Sequence, residues 1–186
     1  MTRDGLHVAQ VNIALPREPL DTPLLAGFVA MLVPVNALAD AAPGFVWRLQ
    51  TEDGDATAVR AFGDDRLIVN MSVWESVEAL RAFVYGDAHA AVMRRRREWF
   101  ERMREAFQAL WWIPAGTLPT VDDAEARLAH LREHGPTAHA FTMREPSPPP
   151  GAGLSRVGLG AGAGEPATAP PHRCRTSTGC LRGPWP

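Results

Sequence analysis

With 186 residues, 46% of them hydrophobic, the chain can bury one core of ordinary size, and its formal charge of −2 offers no electrostatic reason to seek nucleic acid or an anionic membrane. All 19 basic residues are arginine, as GC-rich coding favours, and the two cysteines, Cys174 and Cys180, sit near the C-terminus, which argues against a disulfide framework and for a reducing, cytoplasmic setting. The opening MTRDGLHVAQ carries no apolar signal segment, and no run approaches the roughly 18 apolar residues that a bilayer span needs.

The first predicted strand is Leu6 to Ala14. Successive side chains of a strand face opposite ways, so His7, Ala9, Val11 and Ile13 form one row and Leu6, Val8, Gln10 and Asn12 the other. Pro16 and Pro19 end it. Thr22 before Pro23 marks a helix start, with a hydroxyl cap and a proline where no amide is needed. Leu24, Leu25, Phe28, Val29, Leu32, Val35 and Leu38 then make a wide apolar stripe, so this helix is expected to lie flat on a core. Pro34 inside it predicts a kink, at a cost of roughly 3 kcal/mol, within one continuous element. Phe45 to Gln50 is the second strand. The acidic TEDGDATAVRAFGDD lacks calcium-loop ligand spacing and reads as a solvated hairpin connection with Ala58 to Phe62 extended.

The third strand, Leu67 to Trp74, again splits into an aliphatic row (Leu67, Val69, Met71, Val73) and a mixed one (Ile68, Asn70, Ser72, Trp74). Ser76 is placed to cap a helix running to about Tyr85. Gly86 interrupts, and Asp87 is read as the cap of a second segment whose Val92, Met93, Arg96, Trp99, Phe100 and Met103 share a face, with His89 one turn before it. Phe107 to Ile113 is the fourth strand. Thr120 with Asp123 has the form of a capping box ahead of a helix marked by Val121, Ala124, Leu128 and Leu131, and Ala138 to Met143 is expected to add a short edge. The domain is expected to end at residue 144. Nine prolines and eight glycines fall in residues 145–186, a composition that cannot hold a core, so a disordered tail is expected. The same bias arises when GC-rich DNA is read out of frame.

Strand, helix, strand, strand, helix, strand is the ferredoxin-like split βαβ order. The expected architecture is therefore α+β: an antiparallel sheet with helices on one face, the aliphatic rows pointing at them. The other face would collect Gln10, Asn12, Arg48, Gln50, Asn70, Ser72, Trp74, Gln108 and Trp112. That face is too aromatic to stay wet and too polar for a plain core. A symmetric homodimer would cover it, enclosing an amide-lined cavity for a small organic ligand.

The runs VAQVNIALPREPLDTPLLAGFVAMLVPVNALADAAPGFVWRLQTEDGDATAVR, LIVNMSVWESVEALRAFVY, AHAAVMRRRREWFERM and ALWWIPAG, with PTVDDAEARLAHLREHGPTAHAFTMREPSPPP, resemble the bacterial family called domain of unknown function 3291, over about Leu6 to Pro150. The resemblance implies a dimeric α/β-barrel fold, similar to antibiotic-biosynthesis and haem-degrading monooxygenases, although the family itself has no established reaction. It implies a cofactor-independent, monooxygenase-like enzyme acting on an aromatic or polyketide-like substrate. The alternatives are a non-catalytic ligand-binding or structural homodimer, and a haem-binding or haem-degrading protein. In the haem-degrading enzymes function rests on a strand asparagine, a helical tryptophan and a histidine ligand. Asn12 matches the first, Phe83 falls near the second, and His89 lies several residues before the third. Pro34 and the tail past Pro150 depart from the family pattern.

His89 and Asn12 are thus the candidate catalytic residues, with Asn70, Trp74, Arg48, Ser72, Tyr85 and Trp112 as candidate substrate contacts. An imidazole with an ordinary pKa near 6.5 suits acid–base work at neutral pH; it is also a common helix-start residue with no function. Arg94 to Arg97 have Glu98, Glu101 and Glu105 within helical pairing distance and read as a solvated face. His130 and His134 have a metal pair's spacing without the intervening glutamate or a third ligand. No GxSxG, P-loop or Rossmann motif occurs, and the tail's GLGAGAG follows no strand. No metal or other cofactor is expected.

Overall fold

The computed structural model describes residues 5–52 and 54–151. The elements are β1 (Leu6–Ala14), α1 (Ala26–Asp40), β2 (Phe45–Arg48), β3 (Ile68–Trp74), α2 (Val77–Val84), α3 (Asp87–Trp99), β4 (Gln108–Pro114) and α4 (Val121–His134). The strands form one antiparallel sheet in the order β2-β3-β1-β4. The chain is an α+β protein of ferredoxin-like topology, as its order of elements implies.

Register sorts the side chains. Val11 stands opposite Met71 and Ala109, and Asn12 opposite Asn70 and Gln108, so the aliphatic and mixed rows each stay on one face across the sheet. The aliphatic face is closed: Val11, Val73 and Ala109 are fully buried and Met71 and Trp111 are 1% exposed. What closes it is α4, whose Ala124, Leu128 and Leu131 pack into the same cluster. Thr120 and Asp123 set the start of α4 by a reciprocal capping box, the hydroxyl accepting from Asp123 N–H at 3.1 Å and the carboxylate from Thr120 N–H at 2.9 Å.

Here the structure corrects the assignment of faces. The helices that follow β1 and β3 do share one face, but it is the mixed one, which was expected to stand open for a partner. Apolar periodicity marks a helix side that is covered; it carries no label for which sheet face does the covering. The stripe on α1 is corrected with it. Of the stripe, Leu25, just before α1, is fully buried, but Leu24 is 41%, Val29 40% and Leu38 48% exposed, and only Ala39 of α1 itself is buried. Helix α1 roofs a cavity instead of lying on a core, which leaves Val29 and Leu38 of its stripe exposed.

Local signals fared unevenly. Ser76 caps α2, accepting from Ala79 N–H at 3.1 Å, and α1 runs unbroken through Pro34. Thr22 is not a cap: its hydroxyl donates to Pro19 O at 2.8 Å, closing a turn, and α1 begins four residues later. Asp87 is the first helical residue of α3, not its cap; Gly86 takes that place, and the carboxylate instead meets the positive end of the helix dipole. Residues 58–62 form no strand where an extended segment was expected, with turns only at 58 and 62, and residues 138–143 contribute only the Phe141–Leu110 bridge. Gly44 has φ +77°, and a Cβ there would lie 2.7 Å from Ala79 Cβ, so this glycine lets β2 start tight against α2.

Residues 145–151 form no helix or strand. The Ser147 carbonyl accepts from the Trp112 indole N–H at 3.0 Å. The expected disordered tail, beyond residue 151, lies outside the described residues, with Cys174, Cys180 and GLGAGAG. No helix among the described residues is long and apolar enough to cross a membrane.

Candidate ligand cavity

The mixed face forms the floor of a cavity of about 740 Å³ whose other walls are α1, α2 and α3. Its polarity is graded along the strands. Across β3, β1 and β4 the register places Asn70–Asn12–Gln108 in one tier, Ser72–Gln10–Leu110 in the next and Trp74–Val8–Trp112 in the third. At two residues per tier, the amide and aromatic tiers lie about 13 Å apart.

The middle tier is a relay of hydrogen bonds. Gln10 is 4% exposed, and its Nε2 donates to Asn70 Oδ1 and Ser72 Oγ, each at 3.0 Å. Ser72 Oγ also accepts from Trp74 Nε1 at 2.9 Å. Gln10 Oε1 has no partner among the described residues. A buried carbonyl left unpaired costs about 1–3 kcal/mol, and such groups usually mark a place that water or a ligand completes.

At the aromatic end Trp74 stacks on Phe83, with centroids 5.2 Å apart and planes at 28°, and meets Phe45 edge-on at 5.3 Å. His89 follows, 5.0 Å from Phe83. Its Nδ1 lies 2.9 Å from Val84 O; a carbonyl only accepts, so Nδ1 carries the proton and Nε2 keeps its lone pair. Burial lowers the His89 pKa from 6.5, against an opposing pull from the Val84 carbonyl. At neutral pH His89 is therefore an uncharged proton acceptor. On the roof, Phe28 packs against Trp99 and Phe100, with centroids at 5.9 and 4.9 Å.

The structure brings Asn12, Arg48, Asn70, Ser72, Trp74, Tyr85 and His89 to this one cavity. Trp112 is not among its walls: its indole is spent on Ser147 and its ring lies 6.0 Å from Phe141. Tyr85, 72% exposed, stands at the rim. Arg48 lines the wall with its guanidinium occupied, by Asp40 at 2.8 and 3.2 Å and by Gly54 O at 2.7 Å; it braces the end of α1 against the following loop. Sequence reading missed the roof, because Phe28, Leu32 and Val35 look like any core stripe, and it missed Arg96, hidden in a run of four arginines.

Of the haem-type positions, Asn12 and His89 line the cavity, but a phenylalanine stands where that role has tryptophan, and Phe83 is used in the Trp74 stack. The set does not fit haem. His130, His134 and His139 gather near the end of α4, with centroids 4.5 and 4.6 Å apart. His130 Nε2 meets the Thr137 hydroxyl at 2.9 Å, and His139 Nδ1 accepts from Arg127 at 2.7 Å. Partial burial, Arg127 and His130 all push the His139 pKa down. Among the described residues no His, Cys, Asp or Glu group is arranged to hold a metal.

Fold and cavity together define a ferredoxin-like α+β protein whose mixed sheet face is enclosed by its own helices. Residues 7–156 match the family described as Domain of unknown function (DUF3291), and the chain belongs to that family. No curated protein matches it. Among solved structures it is similar to SnoaB, a cofactor-independent oxygenase from Streptomyces nogalater, at 20% identity over 61% of this chain and 98% of that one, with a TM-score of 0.40. It is similar to Rv0793 from Mycobacterium tuberculosis at 15% identity, over 61% and 99%, with a TM-score of 0.40. A putative antibiotic biosynthesis monooxygenase from Chloroflexus aurantiacus J-10-fl matches at 14% identity, over 62% and 98%, with a TM-score of 0.37.

Proposed function

We propose that the chain binds a flat, largely apolar organic molecule in the cavity under α1, as a cytoplasmic homodimer, and that His89 acts as the base of a monooxygenase-like reaction needing no cofactor. The observation that carries this is the neutral His89, its Nε2 available, at the aromatic end of a 740 Å³ cavity. An aromatic substrate with an acidic C–H or O–H would lie along Trp74 and Phe83 and lose its proton to Nε2. The resulting anion is electron-rich enough to react with O₂ directly, and Asn12 is placed to orient it from the amide end. A second copy cannot use either sheet face, since α1–α3 cover one and α4 the other. The exposed Val29 and Val33 of α1, with Val46 on the free edge of β2, are the surface this reading gives to the dimer.

Anthrone tests it: one O₂ converts one anthrone into anthraquinone and water. Purified protein is expected to speed oxygen uptake well above the uncatalysed rate, and His89→Gln to abolish the excess while leaving anthrone binding within about threefold. Binding without any excess uptake would leave a ligand-binding protein. Uptake unchanged in His89→Gln would remove His89 from the chemistry.

A further inference from the structure

The cavity wall is unbalanced in charge. Four arginines line it, Arg48, Arg94, Arg96 and Arg144, against one carboxylate, Asp55. Two of these five are already satisfied. Arg48 is held by Asp40, and Asp55 Oδ1 accepts from both the backbone and the hydroxyl of Thr57, at 2.8 and 2.7 Å. Arg94 and Arg144 are exposed, where water serves them.

Arg96 is different. It is half-buried on α3, and its guanidinium carbon lies 4.4 Å from the centre of the Phe107 ring. No carboxylate of the described residues lies within salt-bridge distance of it. Burial pushes its pKa down, and no acidic neighbour pushes it back. A ring face offsets part of the lost hydration but leaves all five N–H donors without an anion. Half-buried charge of this kind is costly unless something pairs with it.

Position gives the guanidinium its meaning. Phe107 adjoins Gln108 at the start of β4, its ring touching the closed-face cluster as well as the cavity. With Gln108 paired to Asn12, and Arg96, Asn12 and Gln108 all in the cavity wall, Arg96 stands at the amide end, away from Trp74. The Asn12 and Gln108 side chains make no hydrogen bond to other described residues, although both line the cavity. One planar, charged fork and two free amides at one end face a stacked aromatic wall at the other.

We infer that the ligand is an elongated aromatic carboxylate, its carboxylate held by Arg96 with Asn12 and Gln108 and its ring system lying against Trp74 and Phe83 near His89. A carboxylate matches the guanidinium fork with two parallel bonds, and the spacing of the tiers sets a ligand of about 13 Å. The inference rests on the binding reading above and adds the substrate class.

Anthracene-2-carboxylate and anthracene-2-carboxamide, alike in shape and different in charge, separate the two. Titration calorimetry on the full-length protein at pH 7 is expected to show the carboxylate bound at least about tenfold more tightly, the ratio expected of a charge-assisted pair. Arg96→Met should bring that ratio to about one by weakening the carboxylate alone, and Arg96→Lys, a charge without the fork, should keep part of it. Equal affinities in the unmodified protein would overturn the inference and leave the cavity reading intact. If neither probe binds, both fall. A ratio that survives Arg96→Met would overturn the role of Arg96, and should that variant not fold, the unmodified protein and Arg96→Lys still decide.

Discussion

The two faces of the sheet are made from the same strands, one residue out of step, and they differ in almost every physical respect. On one, Val11, Met71, Val73, Ala109 and Trp111 meet α4 with nothing wet between them. On the other, amides, a serine and a tryptophan meet three helices across an open volume. The closed face carries one buried polar atom without a partner among the described residues, His7 Nδ1, and is otherwise apolar, so its contribution to stability is mainly burial and packing. The cavity face retains an unpaired Gln10 carbonyl and an unpaired Arg96, groups that a stability-driven sequence would replace. One face is packed shut, and the other encloses a volume lined by polar groups that the fold leaves unpaired.

That contrast can be broken from either side. The largest effect belongs to the closed face: Leu128→Ala, at a fully buried position of α4, is expected to destabilise the protein by about 2–5 kcal/mol in urea unfolding. A loss below ~1 kcal/mol would mean that α4 is not the cover described here. Gln10→Leu, equally deep on the cavity face, should change stability by less than about 1 kcal/mol, since it removes two neutral hydrogen bonds together with an unsatisfied carbonyl. The same variant should weaken aromatic binding in the titration. Strong destabilisation with unchanged binding would make the relay a core feature.

The smallest effect is His89's dependence on pH. Its folded pKa lies below the unfolded value of 6.5, so the unfolded chain takes up the proton first. Its stability contribution is complete above pH 6.5 and is lost as pH falls through the folded pKa. Oxygen uptake should rise with pH through that same lowered pKa and be flat by pH 7. Comparing unfolding curves of the unmodified protein and His89→Gln between about pH 5 and 7 isolates the effect; identical slopes would place the histidine in water.

The strands, their two rows and most helix limits were legible because they are local. Alternation in LHVAQVNIA and IVNMSVW is a property of neighbouring residues, and Ser76 and Thr120 cap through amides three residues away. The amides and Trp74 could be gathered onto one face from strand order alone. What escaped was set by distance in the chain. Thr22 has the residue type of a cap, but Pro19 O competes for its hydroxyl. Trp112 shares a tier with Trp74, yet residue 147 returns to take its indole N–H.

The sequence by itself determined the elements, their order, and which side chains would share a face, since these follow from backbone periodicity and end chemistry. Only the tertiary structure decided which helices cover which face. The free energy of covering an aliphatic row depends on the shape of what arrives, and α4, with Ala124, Leu128 and Leu131 at its contact, closes that row without a gap. Helix α1, held off the sheet above Gln10 and Asn12, leaves the volume that His89 and Arg96 both line.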